Sequence, residues 1–485
     1  MITVLLPAKY DDFLTLKLNL SIEVQYLNMD YLDEKSTDIN YSNVYGDTYL
    51  LMKNAGKAIS DFIEKTFVHG KFVTVVCGTG NNAGDGICCA QLLQKDYKVS
   101  IILLKGVAGL KTPEARRAIN DYGGDYYGIS DFENLLSSSD IIIDAMFGIG
   151  IKGDPQKPYD EIINAINRSG KTIVSIDVPS GFPSKVAVKP DFTITFTDKK
   201  TEMSQSNSGK IIIADIGVPV SVKTSTGIGD LVYIPEFNPL AHKGMNGTVG
   251  IFAGNTFPGA AVMASLAAYN TGPDLVKVFS SRFNRDIIVS RNPGIMFYDV
   301  DTVNGKDLDG IGSILVGPGM GRTDASMKIM DYVIDNYRGQ LIIDADALRI
   351  LSPDRISRRN AIITPHSAEF MAFTGMEATV ENAVKIASKY SITVLLKGVT
   401  DIITDGKNTK YSSGGNSRMA MGGTGDVLAG IVTGLSSRGM QPFRSAVAAS
   451  YINKKCGDMA YREYGYYYGI MDVINNIKYI LNNKI

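Results

Sequence analysis

At 485 residues the chain exceeds the roughly 250–300 residues at which a single hydrophobic core stops growing, so two domains are expected. Lysine plus arginine (49) balances aspartate plus glutamate (50) to a net charge of −1, which removes the field that non-specific nucleic-acid or anionic-membrane binding requires. A 45% hydrophobic and 20% charged composition excludes disorder, no apolar run approaches the roughly 18–20 residues of a membrane span, and the start MITVLLPAKYDD lacks the pattern of a secretory signal. Cys77, Cys88, Cys89 and Cys456 are spaced for neither a disulfide framework nor a zinc site. A cytoplasmic protein with neither nucleic-acid nor membrane partners is the expectation.

In chain order, VTVVCG (73–78), VSIILL (99–104), DIIIDAMFG (140–148) and TIVSIDVPSG (172–181) are apolar runs that end in glycine or polar turns. That is the pattern of parallel strands buried on both faces. The helix-like stretches GDGICCAQLLQK, PEARRAINDYG and YDEIINAINR lie between them, which predicts an N-terminal Rossmann-like, doubly wound α/β sheet. After KIIIADIGVP, the turn formers and two prolines of SVKTSTGIGDLVYIPEFNPL mark a linker. A second series follows. GTVGIFAG, DLVKVFS, GSILVGPGMG, QLIIDADAL, NAIITPHS and TVLLKGVTDIITD read as strands, while GAAVMASLAAYNTG, ASMKIMDYVIDNY, ENAVKIASKYS and TGDVLAGIVTGLSSRG read as helices. The expected layout is an extension over 1–24, a first α/β domain over 25–220, a linker over 221–240 and a second α/β domain over 241–485.

CGTGNNAGDG (77–86) follows a strand and opens a helix, so its backbone N–H groups and the helix dipole suit an anion. Asn81, Asn82 and Asp85 add groups able to hold a cation or a hydroxylated ligand. Asp144 in DAMFGIGIKGD, with Gly148, Gly150 and Gly153, and Asp177 and Ser180 in DVPSG lie at further strand ends, where open α/β sheets bind ligands. Each aspartate alone reads equally as a cap or turn former. LLMKNAG (50–56), GTGNNAGDG, DAMFGIG and DVPSG, in that order, resemble the epimerase domain of the NAD(P)H-hydrate repair enzymes, over about Gln25 to Pro219. The resemblance implies an isomerase. It implies that Asn81, Asn82, Ala83, Gly84 and Asp85, with Gly148, Ile149, Gly150, Ile151, Lys152, Gly153 and Asp154, hold the nucleotide substrate. It further implies a potassium ion held by Asn82, Asp144 and Ser180, and Asp177 against the nicotinamide. Lys200, after FTITF, matches a lysine of proton transfer, with a solvated surface lysine as the alternative.

AMGGTGDVLAGIVTGL (420–435) carries the sharpest signal. Gly422, Gly423 and Gly425 lead into a helix whose N-terminal N–H groups can stabilise a transferring phosphoryl group. Asp426 is placed to take a proton from a substrate hydroxyl, the alternative being a simple helix cap. AGNTFPGAA, GPGMG (317–321), TPHSAEF (364–370) with His366 and Glu369, and LLKGVTD (395–401) with Lys397 supply further strand-end loops, and DADAL (344–348) supplies two carboxylates suited to magnesium phosphate; a helix cap for His366 and the aspartates, and a solvated Lys397, are the alternatives. HKG, the GAA turn, GPGMG, DADAL, TPH with its glutamate, LLKG and GGTGDVLAG resemble, in order, the ribokinase-like NAD(P)H-hydrate dehydratase, from about residue 240 onward. The resemblance implies a lyase that phosphorylates the hydrate hydroxyl from ADP or ATP with magnesium and then loses phosphate. It places Ala260, Gly321, His366 and Asp426 on the substrate, NADHX or NADPHX, with Asp426 as the base. It places Lys397, Gly398, Val399, Thr400, Asp401 and Gly425 on the adenine nucleotide, and implies a homo-oligomer. The competing reading is a ribokinase-type kinase of a vitamin-like alcohol, with a non-catalytic scaffold as its first domain.

Overall fold

The computed structural model describes residues 31–149 and 153–483. The extension expected over 1–24, and Gly150, Ile151 and Lys152 of the glycine loop, lie outside the described residues. Contacts divide the chain between Ile216 and Gly217, with Tyr31–Leu51 grouped with the second unit.

Among the described residues, the first unit is built on seven strands: β1 (Phe72–Cys77), β2 (Lys98–Leu103), β3 (Tyr126–Tyr127), β4 (Ile141–Ala145), β5 (Thr172–Ile176), β6 (Phe192–Phe196) and β7 (Lys210–Ala214). They lie in the order β3-β2-β1-β4-β5-β6-β7, all parallel. Val73, Val75, Val76 and Ile141 to Ile143 are inaccessible to solvent, because helices cover both faces. The strand order reverses between β1 and β4, so the loops after these two strands diverge to opposite faces and open a crevice at their carboxyl ends.

The second unit holds nine strands: β8 (Thr248–Phe252), β9 (Leu275–Ser280), β10 (Ile295–Asp299), β11 (Ser313–Val316), β12 (Gln340–Ile343), β13 (Ala361–Ile363), β14 (Thr393–Leu396), β15 (Asp401–Thr404) and β16 (Thr409–Ser412). Their order is β10-β9-β8-β11-β12-β13-β14-β15-β16. Pairing is parallel as far as β14, and β14, β15 and β16 pair antiparallel. TVLLKGVTDIITD, read from sequence as strand-like with LLKGVTD as a strand-end loop, thus holds two strands. It is a hairpin, and its turn closes where Gly398 N donates to Asp401 Oδ1 at 2.9 Å. One apolar cluster on the sheet includes the helices Pro258–Tyr269, Thr424–Ser437 and Pro442–Tyr464. A second packs the helices Asp324–Asn336, Ser367–Thr374 and Val380–Tyr390.

Two boundaries differ from the sequence reading. Residues 221–240 are not a free linker: a 3₁₀ helix, Ile228–Tyr233, forms there, and Leu231 and Ile234 are buried in the second unit's core. The helix Tyr31–Tyr45, placed by sequence in the first domain, packs on that 3₁₀ helix. Asn40 Oδ1 accepts from Gly229 N at 2.7 Å, and Asn40 Nδ2 donates to Asp230, which also pairs with Lys410 at 2.5 Å. Asp33 pairs with Arg444. Satisfying these buried polar groups outweighs the helix's proximity in sequence to the first sheet.

Candidate active sites

In the first unit the crevice is formed by three strand ends. At β1, Gly78 passes so close to the β4 loop that a Cβ would lie 1.9 Å from Met146 O, so only glycine fits. The helix Asn81–Leu93 then begins, with Gly80 as its N-cap. Asn81 is exposed at the helix start, and Asn82 is buried with its Nδ2 donating to Ile176 O at 3.1 Å. Ala83 and Gly84 are buried; a Cβ on Gly84 would strike the Met52 side chain. Asp85 is half-buried, Ile149 is half-buried, and Gly153 and Asp154 are exposed.

Asp144, at the end of β4, is inaccessible to solvent. Its Oδ2 accepts from Ser175 Oγ and Ser180 N, both at 2.8 Å, and its Oδ1 accepts from Ser180 Oγ at 2.5 Å. Burial raises its pKa, and these hydrogen bonds oppose the rise. Ser180 Oγ also accepts from Phe147 N at 2.9 Å, which ties the β4 and β5 loops together.

Asp177 follows β5 in the left-handed region, φ 64°, a conformation that marks strain in a non-glycine residue. Its Oδ1 lies 3.1 Å from Lys200 Nζ, and Thr195 Oγ1 donates to it at 3.4 Å. Lys200 is 1% exposed and also donates to Phe196 O at 3.1 Å, which rules out the solvated-lysine reading. The other oxygen, Oδ2, lies 3.5 Å from where a Gly148 Cβ would stand, and Asn82 Oδ1 lies 3.9 Å from the same point. The fold thus gathers Asn82, Gly148, Asp177 and Lys200, and beside them Asp144 and Ser180.

In the second unit the helix Thr424–Ser437 starts at Gly423, whose φ of 98° is left-handed. The helix is carried into place by bare glycines: a Cβ on Gly430 would sit 2.3 Å from Ala264 O, and one on Gly434 2.0 Å from Thr271 Oγ1. The helix Pro258–Tyr269 therefore crosses it at close range, and Ala260, in that helix, abuts Gly319 of the GPGMG turn. Gly321 N donates to Asp346 Oδ2 at 2.8 Å.

Four ionisable groups meet at the helix start. Lys397 Nζ lies 2.8 Å from Asp344 Oδ1, 3.5 Å from Glu369 Oε2 and 3.4 Å from where a Gly425 Cβ would be. Asp426, in the first helical turn, has its pKa pushed up to about 7, chiefly by burial and then by Asp344, with Lys397 holding it down. His366 caps the helix Ser367–Thr374: its Nδ1 accepts from Ala368 N at 3.1 Å, its N donates to Glu369 Oε2 at 2.9 Å, and its Nε2 lies 3.3 Å from Glu369 Oε1. The carboxylates Asp344 and Glu369, named by motif in DADAL and TPHSAEF, thus sit at the centre of the cluster.

A cavity of about 670 Å³ adjoins this cluster. Of the sequence-predicted residues, His366, Lys397, Gly398, Val399, Asp401 and Gly425 line it, while Ala260, Gly321, Thr400 and Asp426 are not on its wall. The hairpin turn is fixed from behind. Lys454 Nζ donates to Gly398 O at 3.2 Å and Val399 O at 2.9 Å and lies 3.3 Å from Asp401 Oδ1, and Ser450 Oγ donates to Asp401 Oδ2 at 2.6 Å. Sequence reasoning missed Ser450, Asn453 and Lys454. Their signal was three polar residues at helical spacing on the apolar face of Pro442–Tyr464.

The second unit is a ribokinase-like α/β domain and the first a Rossmann-like one. The NAD(P)H-hydrate dehydratase family matches residues 249–479, and the YjeF-related protein N-terminus matches residues 48–202. The bifunctional NAD(P)H-hydrate repair enzyme of Methanothermobacter thermautotrophicus is 31% identical over 500 residues, covering 94% of this chain and 95% of its own length. That of Archaeoglobus fulgidus is 32% identical over 449 residues, covering 88% and 93%. The chain belongs to the family of bifunctional NAD(P)H-hydrate repair enzymes, and its two domains are those of the dehydratase and the epimerase. Among solved structures, the ADP/ATP-dependent NAD(P)H-hydrate dehydratase from Bacillus subtilis, co-crystallised with ATP/Mg2+, is 24% identical with a TM-score of 0.48 and covers 53% of this chain and 99% of that one.

Proposed function

We propose that the second domain phosphorylates the hydroxyl of the S hydrate of NADH or NADPH with ADP or ATP, and that Asp426 is the base. The observation that carries this is a carboxyl poised at about 7, in the first turn of a helix whose N–H groups favour an arriving phosphoryl group. Asp426 accepts the hydroxyl proton as the oxygen attacks the terminal phosphorus. The bond to the departing nucleotide breaks, and Lys397 and the helix N-terminus hold the developing charge. The phosphate ester then leaves as inorganic phosphate, the ring gives up a proton, and the double bond of the reduced nicotinamide returns. Magnesium bound with the nucleotide would supply positive charge to the phosphates. One or two carboxylates are enough to receive it, and Asp344 and Glu369 are the pair beside Lys397.

In the first domain, the buried Asp177–Lys200 pair holds and moves the proton by which R and S hydrates interconvert, with Asn82 and Gly148 against the substrate. Asn82, Asp144 and Ser180 present amide, carboxylate and hydroxyl oxygens. That donor chemistry fits potassium, and the ion would supply charge to offset the cost of burying Asp144. Assembly as a homo-oligomer belongs to the same proposal. The test is to incubate hydrated NADH or NADPH with ADP and, separately, ATP, and to follow the reduced-nicotinamide absorbance. Full recovery from a mixture of epimers is expected. No recovery, with phosphorylation of a vitamin alcohol instead, would select the kinase reading.

A further inference from the structure

Lys454 lies on the wall of the cavity, as Lys397 does, and a cation there invites the reading that it binds phosphate. Its own contacts argue otherwise. Lys454 is 7% exposed. An ammonium carries three protons, and here each has an oxygen to meet. They are Gly398 O at 3.2 Å, Val399 O at 2.9 Å and Asp401 Oδ1 at 3.3 Å. All three oxygens belong to the turn 398–401 that joins β14 to β15. Asp401 is held from its other side as well, because its Oδ2 accepts from Ser450 Oγ at 2.6 Å. The charge of Lys454 is therefore spent on shaping this turn.

The stem of the same lysine supports a second turn. Gly414 and Gly415 follow β16 with φ of 111° and 75°, in the left-handed region. A Cβ on Gly414 would lie 3.9 Å from Lys454 Cβ, and one on Gly415 3.8 Å from Lys454 Cγ, so this turn rests on the lysine's methylenes. Further along the helix Pro442–Tyr464, Gly457 O accepts from Asn416 Nδ2 at 3.1 Å. Thr400 Oγ1 and Ser413 Oγ meet at 3.3 Å, linking the two turns directly. Both turns line the cavity. We infer that Lys454 is a positioning residue. Its head and its stem fix the two turns as one jaw, and the phosphoryl donor binds to that jaw and not to the ammonium. The inference rests on the reading that this cavity takes the donor.

The experiment measures calorimetric binding of magnesium ADP and steady-state dehydration in the full chain, for the wild type, Lys454→Met, Ser450→Ala and the double variant. Methionine keeps the stem and removes the charge. Lys454→Met should weaken ADP binding and raise the nucleotide KM by roughly ten- to a hundredfold, the range of a lost charged hydrogen bond. Its kcat at saturation should stay within about twofold, a split that loss of folded protein would not produce. Ser450 is inaccessible to solvent and is not on the cavity wall; its hydroxyl is bonded to Asp401. Ser450→Ala should nonetheless cost roughly three- to tenfold in affinity. The double variant should bind about as weakly as Lys454→Met alone, because both residues act on one carboxylate. Unchanged affinity in Ser450→Ala, or a fall in kcat at unchanged KM in Lys454→Met, overturns the inference. Ala420, exposed on the same wall, is the control for the cavity itself: Ala420→Asp should repel the donor's phosphates. If Ala420→Asp loses ADP while the other variants bind as the wild type does, the inference alone fails. If all of them bind normally, the cavity reading fails with it. Should the methionine variant not fold, Ser450→Ala still decides.

Discussion

Replacing Asp344 by asparagine tests the electrostatics of the second site directly. The Asp426 carboxyl is pushed from an ordinary 3.8 to about 7, so its surroundings disfavour the carboxylate by on the order of 4 kcal/mol at about 1.4 kcal/mol per pH unit. Burial is the larger cause and survives the substitution; the Asp344 charge is the second and is removed. The change also strips Lys397 of its 2.8 Å partner, leaving that cation less neutralised. Both consequences favour ionised Asp426, so its pKa must fall, by about one pH unit for a nearby charge at a partly buried site. The base works only when ionised. In the wild type free of magnesium and nucleotide, the Asp426 carboxyl should therefore titrate at about 7. In Asp344→Asn that midpoint should move down by about one unit. The assay is carbon-13 NMR titration of Asp426 from about pH 5 to 9 at fixed ionic strength, in the full chain free of magnesium and nucleotide. A midpoint that stays in place, or that moves upward, refutes this account of the cluster's electrostatics.

Two further outcomes are expected. Asp426→Asn keeps the helix start and the cavity, so it should abolish dehydration, by about a thousandfold or more, while calorimetric ADP binding persists; near-normal turnover would remove the mechanism. Lys200→Met leaves Asp177 as an uncompensated buried charge and should destabilise the first domain by about 3–5 kcal/mol, with part recovered in a Lys200→Met, Asp177→Asn double variant. An unfolding midpoint in urea that does not move would show that the pair is solvated.

The sheets were legible because buried parallel strands are written as unbroken apolar runs, as in Val73–Val76 and Ile141–Ile143. The glycine-led helix was legible for a similar reason: its chemistry is contiguous in GGTGD. What depends on distant partners was not. Nothing near Asn40 announces Gly229 and Asp230, 189 and 190 residues away. The helix Tyr31–Tyr45 was accordingly placed with the wrong neighbours. The surroundings of Lys200 leave it open between a proton-transfer residue and a solvated surface lysine until Asp177 is set 3.1 Å from it. The loop at Lys397 was legible as a strand end, but not that the chain returns there as an antiparallel hairpin, because that turn is stabilised by Asp401 and by Lys454, far along the chain.

The paired glycines at the crossing of Thr424–Ser437 over Pro258–Tyr269 make the chemistry answerable to residues that touch no substrate. Gly430 and Gly434 lie five and nine residues beyond Gly425, or roughly 8 and 14 Å at about 1.5 Å per residue. A side chain inserted there works on a lever: a tilt of about 10° at the fulcrum swings the helix tip by about 1–2 Å, and a displacement of about 1 Å can cost a hundredfold in rate. Two hydrogen atoms in place of methyl groups, well over a helical turn from the reacting phosphorus, thus set the tolerance to which the transfer is machined.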